Sequence, residues 1–525
     1  MTRAKGWAAR GVAAVALATM VAGCGSSTAP SSGAASSKPV YGGTFRVALP
    51  VDAGTLDPRL SQDTSATAVD SLIFNGLVAI NNNLQAVPGL ATSWKQVNPT
   101  TWDFYLRKGV EFSNGQPFTS QDVVYTFDTI LNPKFNAPHA QLYAAIKSVV
   151  PVGKYEVQFN LSEPYAPLLS YLNMGIVPHG AGANANFATN PVGTGPYELK
   201  SWQRNNQITL VRNPHFYGSK PYLSQIDFVV MPDNTSQVNA LKAGTLNMIT
   251  SPLPPQDVIT LEHDSSVNVQ KETGLGIIYL NLNLKDPILK DLKVREALDL
   301  LTNRKAITQQ IYKGIDTPAA TTLIPGTWAY DPSIQAPAFN VAQAKKLLAE
   351  DGWTKNSQGV LQKGGKTLSL TLSTYNDPNR VEILTYLQNV FSQVGIQAKV
   401  VQQDWPTFIA GVMAGHFQVA LIGWLGLVDP DKAMYEQFTT KGGFNWEGYS
   451  NPNVDSLLQQ ARTATTIAQR KADYDQASKI VLNDLPYIVI ADQGWVVITG
   501  KNVHGLQINR TGSFRDLESV WLSHN

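Results

Sequence analysis

The single cysteine of this chain, Cys24, and the residues before it limit the fold more than any other feature. Arg3, Lys5 and Arg10 open the chain without an acidic neighbour, and mostly small or apolar residues follow at 11–22. A basic start, a short apolar segment and small residues before a cleavage point are the layout of a secretory signal. The apolar run is shorter than the about 20 residues that a transmembrane helix needs. We therefore expect a body that folds outside the cytoplasm and, having one cysteine, folds without disulfide bonds.

The tripeptide Val21-Ala22-Gly23 before Cys24 resembles the lipobox of bacterial lipoproteins. In that family the chain is cut before the cysteine, which then carries lipid on its sulfur and its amino group. The resemblance implies a signal peptide at 1–23 and lipid attachment at Cys24. The alternative is a plain secretory signal that an incidental cysteine follows.

The segment 24–40 predicts a flexible tether. It is rich in Ser, Gly, Ala, Thr and Pro, so it cannot bury enough apolar surface to fold. A chain of this length has a root-mean-square reach of roughly 20 Å. Several acyl chains on one residue suffice for stable membrane anchoring, so we expect the body to hang close to the outer face of a cell membrane or in the periplasmic space.

The charge of the chain argues against a nucleic-acid partner. The formal net charge of the full sequence is +2, and the signal segment alone holds three positive residues, so the body is close to neutral. Nucleic-acid binding and basic membrane-binding faces require clustered positive charge. We expect a monomer whose only membrane contact is the lipid anchor.

No motif of an enzyme or a metal site stands out. The seven histidines are scattered, and neither His-Glu-x-x-His nor Gly-x-Ser-x-Gly occurs. The glycine-rich stretch 193–196 lacks the Gly-Lys-Ser/Thr ending of a phosphate loop, and its Pro196 has no backbone N–H to donate. His416 is expected to be an ordinary surface residue. We therefore predict no catalysis, no cofactor and no bound metal.

The hydrophobic pattern predicts an α/β fold. Alternating apolar residues predict strands at 45–49, 102–106, 155–161, 197–199, 208–211, 226–230, 368–372, 396–401 and 419–422. Helical spacing predicts helices from a Thr119–Asp122 capping box, over 294–311, over 342–350 after Asn340, and over 381–394 before Gly395. Strands that alternate with helices indicate α/β lobes.

A series of short motifs, in this order and spacing, resembles the extracellular solute-binding proteins that serve bacterial peptide- and nickel-type ABC importers. The resemblance covers about residues 41–500. The motifs are Gly42-Gly43-Thr44-Phe45, Leu56-Asp57-Pro58, Leu90-Ala91-Thr92-Ser93-Trp94, the stretches 104–115 and 122–127, Pro191-Val192-Gly193-Thr194-Gly195-Pro196-Tyr197, Arg212-Asn213-Pro214, and the stretches 240–244, 294–298 and 344–353.

The resemblance implies a two-lobed clamp of the periplasmic-binding-protein type (type II, cluster C-like) with three subdomains. Lobe I would comprise 41–88, 196–272 and 490–525. The insert would comprise 89–195, and lobe II 273–489. Ligand would bind between the lobes, where clefts between domains generally lie.

The family also implies a function. We expect a substrate-binding lipoprotein that passes a peptide or similar polar solute to an ABC permease, while partner subunits hydrolyse the ATP. A ligand-sensing receptor with the same clamp is one alternative. A surface hydrolase is another.

The stretch 423–430, after a predicted strand end, is the first candidate for the ligand site. Trp424 would face the cleft; otherwise it is a core aromatic. Peptide-binding relatives have an Asp in this stretch that pairs with the peptide amine, but Leu427 stands at that position here. Asp429 could replace the Asp only if the loop is redrawn; otherwise it is a turn carboxylate before Pro430.

Further candidates lie on neighbouring strands and loops. Trp405 follows the strand at 396–401, and the alternation of 279–283 puts three polar side chains on one side of a strand, unless they cap a sheet edge. The remaining candidates are Tyr279, Asn281, Asn283, Tyr375, Asn445 and Trp446. Because the usual Asp is missing, the cargo stays open among N-blocked or modified peptides, glutathione-like peptides, oligosaccharides and metal complexes.

Overall fold

The computed structural model describes residues 38–183, 186–250 and 252–523. The predicted signal peptide 1–23, the lipid-attachment residue Cys24 and the tether up to residue 37 lie outside the described residues. The described residues from Pro39 onward belong to one compact unit. No helix in these ranges is both long and apolar enough to span a membrane.

The strands run from two to 16 residues, and not all of them show the alternate burial that the sequence predicts. They are β1 (Thr44–Leu49), β2 (Val78–Ile80), β3 (Ala86–Pro88), β4 (Ala91–Asn98), β5 (Thr101–Leu106), β6 (Ile146–Gly153), β7 (Glu156–Leu161), β8 (Tyr197–Gln203), β9 (Gln207–Arg212), β10 (Gln225–Val230), β11 (Met248–Ile249), β12 (Val267–Leu282), β13 (Thr317–Pro318), β14 (Thr354–Lys355), β15 (Leu361–Lys363), β16 (Lys366–Thr367), β17 (Ser369–Tyr375), β18 (Gln397–Gln403), β19 (Val419–Trp424), β20 (Tyr487–Gly500), β21 (Val503–His504) and β22 (Trp521–Leu522).

Most of the helices begin at a side-chain cap. They are α1 (Thr64–Ile73), α2 (Ser120–Leu131), α3 (Leu168–Tyr171), α4 (Asn234–Lys242), α5 (Pro255–Glu262), α6 (Leu292–Leu300), α7 (Arg304–Ala306), α8 (Val341–Glu350), α9 (Pro378–Val394), α10 (Trp405–Met413), α11 (Pro430–Phe438), α12 (Pro452–Thr463) and α13 (Ile467–Asp484).

A mixed sheet of 11 strands is the largest sheet of the described residues. Its order is β18-β17-β19-β12-β20-β11-β1-β10-β9-β8, with β13 paired to β20 off this path. The β1–β10 and β17–β18 pairs are parallel, whereas β12 pairs antiparallel with both β19 and β20. The fold is therefore α/β with a sheet that runs through both predicted lobes.

The long strands β12 and β20 join two hydrophobic cores. Val267 and Ile498 lie in a core with α4 and α5, whereas Ile278 and Ile488 lie in the core of α6, α8 and α9. Between these cores the β12–β20 register shifts after Thr273. The shift marks the place where the two strands pass from one packed body to the next.

Gly276 lies at this register shift and is required by close packing. A Cβ at this position would lie 2.5 Å from the Gln493 side chain and 2.9 Å from the carbonyl oxygen of Trp424. Any side chain here would push β12, β19 and β20 apart, so the crossing between the lobes depends on this glycine.

The predicted insert has a core and a sheet of its own. The four-stranded sheet β4-β5-β7-β6 packs under α2, and the ring of Phe159 meets Phe104 and Phe127 with centroids 5.1 and 5.0 Å apart. This cluster also includes Leu77 and Val78, which the predicted boundary places in lobe I.

The glycine-rich stretch at 193–196 is where the chain leaves the insert. A Cβ on Gly193 would lie 2.0 Å from the carbonyl oxygen of Ile73, and the N–H of Gly195 donates to the same oxygen at 2.8 Å. The glycines therefore allow two backbone segments to touch, which gives the motif a packing role.

Several predicted elements are confirmed by the structure, and one is corrected. Thr119 and Asp122 form the capping box of α2, and Asn340 caps α8. The predicted helix over 294–311 is wrong as a single element, because α6 ends at Leu300 and Asn303 caps a new start. The side chain of Asn303 accepts from the N–H of Ala306, which stabilises a break that hydrophobic spacing does not reveal.

Candidate functional site

A cavity of about 890 Å³ lies where three parts of the chain meet. Segments on both sides of α1 and the 507–518 segment form one wall, the insert forms the second, and the end of β19 with α11 forms the third. The polar and aromatic lining includes Arg59, Asp70, Asn81, His139, Asn173, Trp424, Lys432, Phe444, Arg515, Asp516 and Glu518. A cavity of this size suits a small organic ligand or a short peptide.

Trp424 is the predicted residue that the structure places in the cavity lining. It is the last residue of β19 and pairs with Ile277 of β12, so the sheet fixes its backbone. Its ring lies 4.5 Å from the ring of Phe444 and 5.5 Å from that of Trp446, measured between centroids. We call these three rings the aromatic wall. Trp424 and Phe444 line the cavity and offer an apolar surface for stacking, whereas Trp446 is not part of the lining.

The carboxylate of Asp429 is bound by other residues of the protein. Its side chain caps α11, and its carboxylate accepts from Arg470 at 2.7 Å and from the hydroxyl of Ser170 at 2.9 Å. Leu427 is also buried, and its N–H donates to the carbonyl of Leu275. The structure therefore places neither side chain in the cavity, although Val428 between them does line it.

The polar residues near the end of β12 face the protein interior. Tyr279 is fully buried and stacks on Tyr487 with centroids 4.2 Å apart, and Asn281 is fully buried too. The amide of Asn283 donates to the carbonyl oxygens of Gly415 and Phe417 at 3.0 and 2.8 Å. The side of the strand that these three residues were predicted to share is packed inside lobe II.

Trp405 and Tyr375 form a separate aromatic contact outside the cavity lining. Trp405 opens α10 and is 48% exposed, and its ring meets that of Tyr375 edge-on at 5.0 Å. Asn445 donates to the carbonyl oxygens of Thr439 and Tyr449, so it holds the loop that carries Trp446.

Arg59 is a lining residue that the sequence analysis missed. It lies directly after the recognised stretch 56–58, and its guanidinium binds the carboxylate of Asp57 through two bonds of 2.9 and 2.6 Å. The rings of Phe135 and Phe187 lie 4.8 and 5.5 Å from the guanidinium carbon. Arg59 is buried, and its Nη1 has no hydrogen-bond partner within the described part of the chain.

Asp70 of α1 lies on the same wall and favours its neutral form. Burial raises its pKa well above the usual value, although the hydroxyl of Ser61 donates to its Oδ2 at 2.5 Å. A neutral carboxylic acid can both donate and accept a hydrogen bond. Two residues of the same lobe, Asp516 and Glu518, also have pKa values raised by burial.

Lys432 of α11 and His139 of the insert bring an ammonium group and an imidazole to the cavity. Burial lowers the pKa of Lys432. Partial removal from solvent lowers the pKa of His139, and the nearby charge of Lys432 lowers it further. Neither residue belongs to a family motif quoted above, so only their position in the fold reveals them.

No group of three or more His, Cys, Asp or Glu side chains suited to a metal ion is found among residues 38–183, 186–250 and 252–523. The cavity contacts are those of a binding site: rings for stacking, amides and acids for hydrogen bonding, and two basic groups.

Known proteins resemble this chain in sequence. The family described as bacterial extracellular solute-binding proteins, family 5 Middle, matches residues 85–446. The oligopeptide-binding protein AppA of Bacillus subtilis is 28% identical over 97% of this chain and 97% of AppA. The dipeptide-binding protein of Escherichia coli K12 is 27% identical, over 86% of this chain and 89% of that protein.

Solved structures resemble it as well. AppA of B. subtilis in complex with a nonapeptide has a TM-score of 0.79 and 27% identity, and covers 93% of this chain and 100% of that one. NikZ of Campylobacter jejuni in complex with Ni(L-His) has a TM-score of 0.80 and 26% identity, and covers 91% of this chain and 99% of that one. The predicted two-lobed binding-protein fold is thus confirmed.

Proposed function

Because the chain belongs to the bacterial extracellular solute-binding proteins of family 5, which are substrate-binding and not catalytic proteins, we propose that it binds a peptide between its lobes and delivers it to an ABC permease. The cavity of about 890 Å³ that lobe I, the insert and lobe II line together carries this proposal. Peptide cargo is favoured because AppA and the dipeptide-binding protein match most of the chain.

The way the lobes are joined supports a clamp that closes on its ligand. Strands β12 and β20 connect the two cores, and the register shift after Thr273 lies in β12 between them. Hinges are typically a few residues at element ends that absorb the change in backbone angles. Closure would bring the aromatic wall of lobe II towards Arg59 and Asp70 of lobe I.

The lining explains how a peptide could bind without the usual Asp. By the sequence resemblance, Leu427 takes the position of that carboxylate, and Asp429 is held by Arg470. Asn81 and Asn173 offer amide groups that match a peptide backbone. Recognition through backbone contacts and bound water tolerates varied side chains.

The lipid anchor forms part of the proposed function. Lipid on Cys24 with the tether 24–40 would keep a monomeric clamp near its permease and raise its effective concentration there. The anchor would hold the protein outside the cytoplasm, on the membrane surface. The ATPase subunits of the transporter, on the cytoplasmic side of that membrane, would drive uptake.

Uptake in the host cell tests the proposal. A strain that lacks this protein should accumulate labelled di- to pentapeptides poorly, and the wild-type gene should restore accumulation. Restored uptake of nickel–histidine complex or oligosaccharide but not of peptides would contradict the peptide cargo. Normal accumulation of all these solutes, together with a lost transcriptional response to one of them, would identify a sensor instead.

A further inference from the structure

Lys432 lines the cavity, and its positive charge has no acidic partner among the residues that the structure describes. Its Nζ lies 3.4 and 3.5 Å from the carbonyl oxygens of Leu425 and Gly426, which is long for N–H···O hydrogen bonds. The acidic residues around it are already paired: Asp429 with Arg470, and Asp431 and Glu436 both with Arg462.

Two physical effects make a positive charge unfavourable at this position. The ammonium is partly removed from water, which lowers the pKa of Lys432. It also lies in the first turn of α11, where the helix dipole is positive and opposes a cation. An anion beside Lys432 would relieve both effects, so the site favours a negatively charged group.

His139 completes the arrangement from the other side of the cavity. It belongs to the insert, whereas Lys432 belongs to lobe II, and both line the same cavity. Its side chain is exposed, and Lys432 lies close enough for its charge to lower the pKa of His139, in addition to the larger effect of burial. Because burial and Lys432 lower the pKa of His139, its imidazole favours the neutral form, which can donate one hydrogen bond to an anion. An anion beside both residues would offset the charge of Lys432 and favour protonation of His139.

We propose that Lys432 and His139 bind the anionic end of the ligand together, and that for a peptide this end is the terminal carboxylate. This inference rests on the proposed peptide function. An anion between the two residues ties lobe II to the insert, so it both selects the ligand and favours the closed clamp. The remaining acidic side chains of the cavity lie on lobe I or are paired with Arg462, and leave this corner positive.

Two matched peptide libraries test the inference: tetrapeptides of random sequence with a free carboxylate, and the same mixture as carboxyl-terminal amides. Each is incubated with the purified protein, and the bound peptides are measured by native mass spectrometry. The wild-type protein should retain free-acid peptides about tenfold more than amides. Lys432→Met keeps the apolar stem without the charge and should abolish this preference, and His139→Gln should reduce it.

Lys471→Met is the matched control, because Lys471 pairs with Asp475 at 3.0 Å and is not part of the cavity lining. It should keep the wild-type preference, and melting curves should show that each variant is folded. A folded Lys432→Met protein that still prefers free acids tenfold would overturn the inference but leave the peptide function standing. A wild-type protein that retains neither library would overturn the peptide function itself.

Discussion

Arg470 and Asp429 form a buried ion pair, with 2.7 Å between Nη2 of the arginine and Oδ1 of the aspartate. The aspartate also caps α11, which carries Lys432 to the cavity. The ring of Trp328 lies 4.9 Å from the guanidinium carbon and shields the pair. Asp429, which the sequence suggested as a ligand contact, therefore anchors α11 behind the ligand site.

Asp429→Ala should destabilise the protein strongly, because it leaves the charge of Arg470 buried and unpaired. Loss of one partner of a buried pair costs about 3–5 kcal/mol, which chemical denaturation can measure. Asp475→Ala is the control, since its pair with Lys471 is much more exposed than the Arg470–Asp429 pair and its loss should cost less than about 1 kcal/mol. Equal losses in the two variants would contradict the structural role of Asp429.

Trp424→Ala should weaken ligand binding by about 1–3 kcal/mol through lost aromatic burial. Calorimetry with a peptide that the wild-type protein retains would measure the change. Trp405→Ala is matched in residue type but lies outside the cavity lining, so its affinity should stay at the wild-type value. The reverse result would move the site to the Trp405–Tyr375 contact.

The stability of the protein should fall as pH rises from about 5 to 8. Burial raises the pKa of Asp316 to about 7 and that of Asp492 to about 8, and the neighbouring charge of Asp316 adds to the latter. The charge of Arg380 lowers the pKa of Asp316, and the charge of Arg510 lowers the pKa of Asp492. Each of them only partly offsets the effect of burial.

The direction follows from proton binding. Between the unfolded pKa of about 4 and these folded values the native state binds more protons, so each added pH unit costs up to about 1.4 kcal/mol per extra proton. Asp492→Asn removes one such group and should flatten the fall and stabilise the protein at pH 8. Thermal melts at each pH measure this, and parallel curves for both proteins would refute the assignment.

Cys24→Ser should release the protein from the membrane fraction of cells, because the lipid has no attachment atom. Fractionation followed by intact-mass measurement checks both location and lipid. A serine variant that remains in the membrane pellet without lipid would show that the anchor lies elsewhere.

The local structure was predictable where short-range patterns determine it. Phe45, Val47 and Leu49 are the alternate residues of β1 that pack in the same core. Gly395 ends α9, as predicted, and it does so in a left-handed conformation. Asn303 shows the limit: a side-chain cap divides a segment whose apolar spacing looks continuous. Family motifs supplied the topology that no local pattern could give.

The candidate site was predictable only in part, because contacts distant in sequence determine which polar residues stay free. Trp424 follows from the strand end, whereas Asp429 is neutralised by Arg470, which lies 41 residues away. Lys432 and His139 become a pair only when the insert meets lobe II. Sequence periodicity does not show which side chains of the insert and lobe II come together.

The most direct test of the account is a crystal structure of the protein bound to a peptide selected from the free-acid library. The account predicts a peptide in the cavity between the lobes, stacked on Trp424, with its carboxylate between Lys432 and His139. A peptide that lies outside this cavity, with Trp424 and Lys432 untouched, would contradict it.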